Sequence, residues 1–260
     1  MHAKTDLDRR HGPWRNPAHL PRCGEFKPLS RIRAIARVLA AALAALLTSA
    51  CGDGPSEVSD GQQAKRLTVL EERARHPMTN AVVLVGSSTL ARWPNELEPN
   101  VVNLGLPGDT IPGLTRRLHA YPNLQQARQI VLNIGLNDMR KHCRIEAIDL
   151  SALLQALPST VPVLWIGVQG VSPAVRAKWC DGGFGPLSVK LNMRLAQACT
   201  QRPGCRFVQH PIGENADDAM STKWHSKDGV HLSSEGYLAL HAAVRGAQSV
   251  PPRTPIRYEP

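Results

Sequence analysis

The chain has 260 residues, of which 42% are hydrophobic and 20% charged, and this mixture excludes wholesale disorder and a polytopic membrane protein. This length has room for one ordinary domain whose core folds without metal or disulfide staples. The formal net charge is +10, but residues 1–50 hold 9 Lys or Arg against 3 Asp or Glu, which leaves +4 for the rest. No basic run with interleaved aromatic residues follows, so no nucleic-acid partner is expected.

The first recognisable segment is an apolar stretch behind several arginines. Residues 35–50 read IARVLAAALAALLTSA, follow Arg31 and Arg33, and lead into Cys51. A basic region, a short apolar region and a small-residue cleavage site are typical of an export signal. The apolar region is too short for a comfortable transmembrane helix, which needs about 20 residues. The small residues before Cys51 resemble the lipobox of bacterial lipoproteins, in which the cysteine is acylated.

We therefore predict an exported periplasmic or cell-envelope lipoprotein, or a secreted protein, with the membrane reached through a lipid anchor on Cys51. An ordinary cleaved signal and an uncleaved N-terminal anchor remain open as alternatives. The predicted organisation is a leader, a flexible tether rich in Gly and Ser, one catalytic domain and a short tail. These parts occupy residues 1–50, 51–62, 63–250 and 251–260.

Helix-like and strand-like segments alternate along the predicted domain. Helices are predicted at 62–75, 111–120, 145–157, 187–200 and 233–246. Continuous apolar runs predict strands at 81–85, 101–104, 130–134, 161–168 and 206–208. Such runs are typical of parallel strands buried on both faces, so the alternation predicts a parallel α/β sheet covered by helices on both sides.

A short polar string follows each of the first three predicted strands, and a fourth string precedes the last helix. In an open α/β sheet the ligand site lies beyond the carboxyl ends of the strands, so these strings are expected to meet there. Each string alone is typical of an ordinary turn or helix cap. The strings are Gly86-Ser87-Ser88, Gly105 to Thr110, Gly135-Leu136-Asn137-Asp138 and Asp228-Gly229-Val230-His231.

Together the strings supply the groups that nucleophilic acyl transfer needs. Spaced at i and i+3, Asp228 and His231 fit on one side of a helical turn, so the carboxylate can hold one imidazole nitrogen while the other faces a serine. A helix N-terminus at Ser88 leaves its own N–H free for developing negative charge. Gly108 can bring its N–H close because it lacks a side chain, and the Asn137 amide is a third donor.

In this order the strings resemble the SGNH, or GDSL-like, hydrolase family. The resemblance implies that Ser88 is the nucleophile and that Asp228 orients His231 as its base. It also implies that Ser88, Gly108 and Asn137 form the oxyanion hole. The implied fold is a three-layer α/β/α domain with a five-stranded, mainly parallel, flavodoxin-like sheet.

The family spans lipases, lysophospholipases, thioesterases and carbohydrate O-deacetylases, so the implied partner is a small-molecule or glycan ester. An exported location favours lipid esters and O-acetylated glycans. The chain has no nucleotide or metal motif, and no cofactor or metal is expected. The alternative is a non-catalytic glycan-binding or envelope assembly module on the same fold. The sequence leaves the oligomeric state open.

Two features compete with this interpretation. Ser87 stands where the family has an aspartate, which leaves two adjacent serines as candidate nucleophiles, and alignment on Gly86 favours Ser88. Glu96 and Glu98 could be a glycosidase pair, but they lie between prolines and we interpret them as loop residues.

The cysteines depend on the predicted export. With Cys51 acylated and the leader removed, an even number remains, which in an oxidising compartment indicates two disulfides with three possible pairings. The first two follow neighbouring strands and the last two flank a short turn, so we predict that each of these pairs is joined. Four buried free thiols are the alternative. The remaining cysteines are Cys143, Cys180, Cys199 and Cys205.

Overall fold

The structure, a computed structural model, describes residues 60–97, 100–213 and 222–249. The predicted leader, Cys51 and the predicted C-terminal tail lie outside the described residues. The first described helix begins at Asp60, and the predicted domain boundaries stay a prediction.

The described strands form one parallel sheet in the order β2-β1-β3-β4-β5. The order is flavodoxin-like, as expected, and every pairing is parallel. All side chains of β1 and β4 are buried, which explains their continuous apolar sequences. The strands are β1 (Val82–Gly86), β2 (Val101–Gly105), β3 (Gln129–Asn133), β4 (Val163–Ile166) and β5 (Cys205–Val208).

Helices cover both faces of the sheet. They are α1 (Asp60–Arg75), α2 (Ser88–Ala91), α3 (Ile111–Leu118), α4 (Leu136–His142), α5 (Leu150–Ala156), α6 (Pro173–Lys178), α7 (Phe184–Thr200) and α8 (Ser234–Ser249). None of the helices in the described part of the chain is both long and apolar enough to cross a membrane.

Two helix predictions need correction. The helix predicted at 145–157 begins only at Leu150, because the Asp149 side chain accepts the Ala152 N–H at 3.1 Å and caps it there. Helices α4 and α6 were not predicted. Both are short, and the first directly follows Gly135, so neither gives a long periodic apolar pattern.

Alternate strand residues serve two separate cores. Val83 and Val85 pack into the core shared with α1, α3, α4, α5 and α7, whereas Val82 and Leu84 pack into the core shared with α2 and α8. These two cores enclose the sheet and give the expected three-layer α/β/α architecture.

The strand register brings the predicted polar strings to one edge. Gly86, the last residue of β1, pairs with Gly105 of β2 on one side and with Asn133 of β3 on the other. The loops that follow these strands therefore start side by side. This is also where the strand order reverses, the position at which open α/β sheets bind ligands.

The structure contains the two disulfides that the sequence predicts, Cys143–Cys180 and Cys199–Cys205. The first joins the end of α4 to the segment that follows α6. The second closes the turn between α7 and β5. The first bridge thus links the segments that follow β3 and β4.

Candidate active site

Ser88 is the first residue of α2, directly after a sharp turn at the end of β1. Gly86 has φ +148°, and a Cβ there would lie 2.0 Å from the Asn133 carbonyl oxygen, so only glycine fits. The Ser87 N–H donates to the same carbonyl at 3.1 Å, which holds the turn against β3. Ser88 is 7% exposed and its side chain faces the loop that carries His231.

Asp228 and His231 lie in a tight turn rather than in the helical turn that their spacing suggested. Asp228 Oδ1 accepts the Val230 and His231 N–H groups, both at 2.9 Å, so the carboxylate itself shapes the turn. Gly229 has φ +68°, and a Cβ there would lie 2.2 Å from Ser172 Oγ. The prediction that the two side chains face each other is correct, but its helical explanation is wrong.

The three side chains form a continuous line of contacts. His231 Nδ1 lies 2.5 Å from Asp228 Oδ2, and His231 Nε2 lies 3.2 Å from Ser88 Oγ. Burial opposes ionisation of Asp228, but hydrogen bonds from His231, Val230 and Ser226 outweigh it and lower its pKa. An ionised carboxylate can only accept, so the imidazole proton is on Nδ1. The Nε2 lone pair is then left facing the Ser88 hydroxyl.

The predicted oxyanion donors are accessible. Within the described part of the chain, neither the Ser88 N–H nor the Gly108 N–H donates a hydrogen bond. Gly108 is exposed and has φ +81°. The Asn137 Nδ2 donates to the Asp109 carbonyl at 2.9 Å, which ties α4 to the Gly108 loop. The amide has a second hydrogen that remains for a ligand.

The two aspartates that follow these donors fix the loops that carry them. Asp109 is 5% exposed and accepts from the Arg117 guanidinium at 2.5 Å, and Asp138 accepts the Ile111 N–H at 3.1 Å. Burial raises the pKa of both carboxyls above the ordinary value. Arg117, on α3, was missed by sequence reasoning, because an arginine on a helix is usually exposed.

Asn133 is a second residue that sequence reasoning missed. It is buried at the end of β3, and its Nδ2 donates to the Gly167 carbonyl at 2.8 Å. Its own carbonyl accepts from Ser87, so it connects the Ser88 turn to the loop after β4. The asparagine that ends the strand sequence QIVLN was the only available signal.

The structure separates the two candidate serines. The Ser87 hydroxyl is buried and has no hydrogen-bond partner among the described residues, whereas the Ser88 hydroxyl contacts His231. Glu96 is exposed in a short turn and Glu98 lies outside the described residues. The described residues contain no group of three His, Cys, Asp or Glu that could hold a metal.

A cavity of about 450 Å³ lies beside Asp228. Its lining includes Ser172 and Lys178 from the α6 region and Thr222, Lys227 and Gly229 from the loop that carries His231. The side chain of Asp228 is 40% exposed, so the carboxylate is accessible from this cavity. The cavity therefore adjoins the carboxylate and is not lined by Ser88 or by the predicted oxyanion donors.

Known proteins share the family and the fold of this chain. A model of the GDSL-like lipase/acylhydrolase family matches residues 84–239. No curated protein sequence matches the chain significantly.

Several solved structures share the fold. A Streptococcus pneumoniae protein described as a candidate platelet activating factor is 18% identical, with a TM-score of 0.58, and the match covers 82% of this chain and 99% of that one. A GDSL-like lipase from Bacteroides thetaiotaomicron is 20% identical, with a TM-score of 0.50, over 71% of this chain and 97% of that one. A candidate acylhydrolase from Bacteroides fragilis is 18% identical, with a TM-score of 0.51, over 74% and 97%.

Proposed function

This chain belongs to the GDSL-like lipase/acylhydrolase family, and from that premise we propose that it is a serine esterase that hydrolyses carboxylic esters through an acyl-enzyme on Ser88. The observation that carries the proposal is the line of contacts from Asp228 through His231 to Ser88, at 2.5 and 3.2 Å. A hydroxyl, a base and an orienting carboxylate in this order are the requirements of nucleophilic acyl transfer.

In the first half-reaction the Ser88 oxygen attacks the ester carbonyl carbon while its proton passes to His231 Nε2. His231 then returns this proton to the departing alcohol as the carbon–oxygen bond breaks. In the second half-reaction water attacks the acyl-enzyme, gives a proton to His231 and releases the carboxylic acid. Ser88 recovers its proton, and Asp228 stabilises the imidazolium in both halves.

The oxyanion that forms at each attack needs donors that are already in place. We assign this role to the Ser88 N–H, the Gly108 N–H and the second Asn137 amide hydrogen, because the described residues use none of the three. Asp109 and Asp138 hold the loops of these donors and take no part in proton transfer.

The proposed substrate is a lipid ester or an O-acetylated glycan. The support for these two classes is the family match together with the proposed export, which places the enzyme among lipids and envelope glycans. Hydrolysis of p-nitrophenyl esters of increasing chain length, compared with acetate release from an acetylated-glycan panel, distinguishes the two classes. The non-catalytic alternative gains no support, because Ser88 lies within reach of His231.

The proposal is tested by comparing two adjacent serines. We expect Ser88→Ala to abolish ester hydrolysis without loss of the fold, because it removes the nucleophile. Ser87→Ala is the matched control and should keep its activity, because the hydroxyl it removes makes no described hydrogen bond. A fluorophosphonate probe should label Ser88, as mapped by mass spectrometry of the labelled peptide. Labelling of Ser87 instead would refute the assignment.

We also propose that the enzyme is exported and retained by acylation of Cys51. The support is the basic, apolar and small-residue order of the leader, which ends at this cysteine. One saturated chain binds a membrane only marginally, so stable retention requires more than one. In a lipoprotein-competent bacterium the wild type should take up labelled fatty acid and sediment with membranes, while Cys51→Ala should do neither. A soluble, unacylated wild-type protein would contradict the proposal.

A further inference from the structure

Gln169 is a buried amide in the loop after β4, outside the polar strings described above. It is 1% exposed, and both ends of its side chain are used. Its Oε1 accepts from Thr89 Oγ1 at 2.9 Å, and its Nε2 donates to the Val230 carbonyl at 3.1 Å. A polar side chain in such a place is retained only where its hydrogen bonds are made.

The two partners of Gln169 are the chain neighbours of the reacting side chains. Thr89 follows Ser88 on α2, and Val230 precedes His231 in the turn. We call residues 228–231 the histidine turn. Apart from the Ser88–His231 contact itself, Gln169 is the one side chain of the described residues that hydrogen bonds both α2 and the histidine turn. It therefore spans the two elements whose separation sets the distance between nucleophile and base.

The loop that carries Gln169 is itself held rigidly. The Asn192 side chain accepts from the Val168 N–H at 2.8 Å and donates to the Val168 carbonyl at 3.1 Å. The Gly170 N–H donates to the Ile212 carbonyl at 3.0 Å on the other side of Gln169. Backbone bonds on both sides thus keep the amide from following either partner if one of them moves.

Thr89 is also fixed from a second direction. Its carbonyl accepts the Tyr237 hydroxyl of α8 at 2.9 Å. The histidine turn is also held from a second direction, because the Ser172 N–H donates to the Gly229 carbonyl at 2.8 Å. Beside the His231–Ser88 contact, the Gln169 bridge therefore links two elements that each have an anchor elsewhere.

We infer that Gln169 is a positioning residue that keeps His231 within reach of Ser88. The inference rests on the proposed function, because it concerns the geometry of the same nucleophile and base. A misplacement of about 1 Å in such a pair costs roughly a hundredfold in rate. The Ser88–His231 distance of 3.2 Å is already at the long end for a hydrogen bond, so little further movement is tolerated.

The test removes the bridge from each end. Gln169→Met keeps the size of the side chain and removes both bonds, and Thr89→Val removes the hydroxyl alone. Each should lower kcat by about 10- to 100-fold with KM changed less than about twofold, since substrate contacts are untouched. The fluorophosphonate labelling rate of Ser88 should fall in parallel. Thr89→Ser keeps the hydroxyl and should therefore retain most of the wild-type kcat that Thr89→Val loses.

A double-mutant cycle separates positioning from general destabilisation. If the two residues act through one bond, the double variant should be no slower than the slower single variant. The exposed Gln155→Met is the matched control and should keep wild-type kcat. Folded single variants with kcat within about twofold of wild type, or losses that multiply in the double variant, would overturn the inference.

The remaining outcomes are also decisive. A wild-type protein that neither hydrolyses esters nor reacts with the probe overturns the proposed function, and this inference falls with it. An active wild type with unaffected variants overturns the inference alone. If the variants at both positions fail to fold, the bond serves folding rather than positioning, and the inference is wrong.

Discussion

Asp228 combines two tasks in one carboxylate. Oδ1 accepts hydrogen bonds from two backbone N–H groups and shapes the turn, while Oδ2 accepts a hydrogen bond from His231 Nδ1. Both tasks require an acceptor, and only the second requires a charge. A substitution that keeps one oxygen and removes the charge can therefore separate catalysis from local folding.

We expect Asp228→Asn to lower kcat by about 10⁴-fold while the fold is retained, because an amide can keep the turn but no longer holds His231 in the productive tautomer. Asp228→Ala should lose the turn as well and unfold at a lower urea concentration. Steady-state kinetics and urea unfolding of both variants check this. An Asp228→Asn enzyme within about tenfold of wild type would show that the carboxylate is not the orienting group.

At this scale the sequence indicated which residues meet but not how they do so. The i, i+3 spacing of Asp228 and His231 predicted their contact, yet the contact depends on the left-handed conformation of Gly229 and on the capping carboxylate. Alignment on Gly86 favours Ser88, and the structure adds that the Ser87 hydroxyl is buried without a described hydrogen-bond partner. Burial of a single side chain is a tertiary property that local pattern does not determine.

Among the secondary-structure elements, strands were easier to predict than helices. Every predicted strand overlaps an observed one, because a run buried on both faces is apolar throughout. The helix predicted from residue 145 begins later, because Asp149 offers a cap that overrides the apolar pattern before it. Short helices such as α4 carry too few residues for a periodic signal, although they can position a functional group such as Asn137.

The two disulfides are expected to stabilise the domain unequally. The chain-entropy relation gives about 4 kcal/mol for the bridge with a sequence separation of 37 and about 2 kcal/mol for the one with a separation of 6. We expect Cys143→Ala/Cys180→Ala to lose about twice as much free energy of unfolding as Cys199→Ala/Cys205→Ala, as measured by urea denaturation.

Reducing conditions provide the control for this comparison. Under reducing conditions no variant has a bridge, so the free energy of unfolding of each double variant should approach that of the reduced wild type. Any difference that remains measures the change in packing rather than the loss of the cross-link. Equal losses for the two pairs would contradict the loop-length argument. Non-reducing peptide mapping should first find Cys143–Cys180 and Cys199–Cys205 in the exported protein.

On the scale of the whole molecule, the site is assembled from strings spread between residues 86 and 231. Their convergence could be predicted from the parallel sheet alone, because strand ends that pair in register place their loops together. The buried amides of Asn133 and Gln169 could not, because an isolated polar residue in an apolar run shows no partner in sequence. The residues with proposed catalytic roles were thus easier to find than those that hold them in place.

The stability of the whole domain should depend on protonation of His210, which is buried in the loop after β5. Its Nδ1 accepts the Ile212 N–H at 3.1 Å, and its Nε2 has no partner within the described residues. Burial lowers its pKa from 6.5 to about 3, so between these values the unfolded chain binds a proton that the native protein does not. The contribution of His210 to stability is therefore present above pH 6.5 and is lost as the pH falls below it.

This linkage predicts that titration of His210 lowers the free energy of unfolding by about 2 kcal/mol between pH 7 and pH 5. His210→Asn does not titrate and keeps an acceptor for the Ile212 N–H, so its free energy of unfolding should fall by about 2 kcal/mol less than that of the wild type over the same interval. Urea unfolding of both proteins at the two pH values gives the comparison, and all other titrating groups cancel in it. Equal losses in the two proteins would mean that His210 takes up its proton in the native state, and that its burial does not limit the acid stability of the domain.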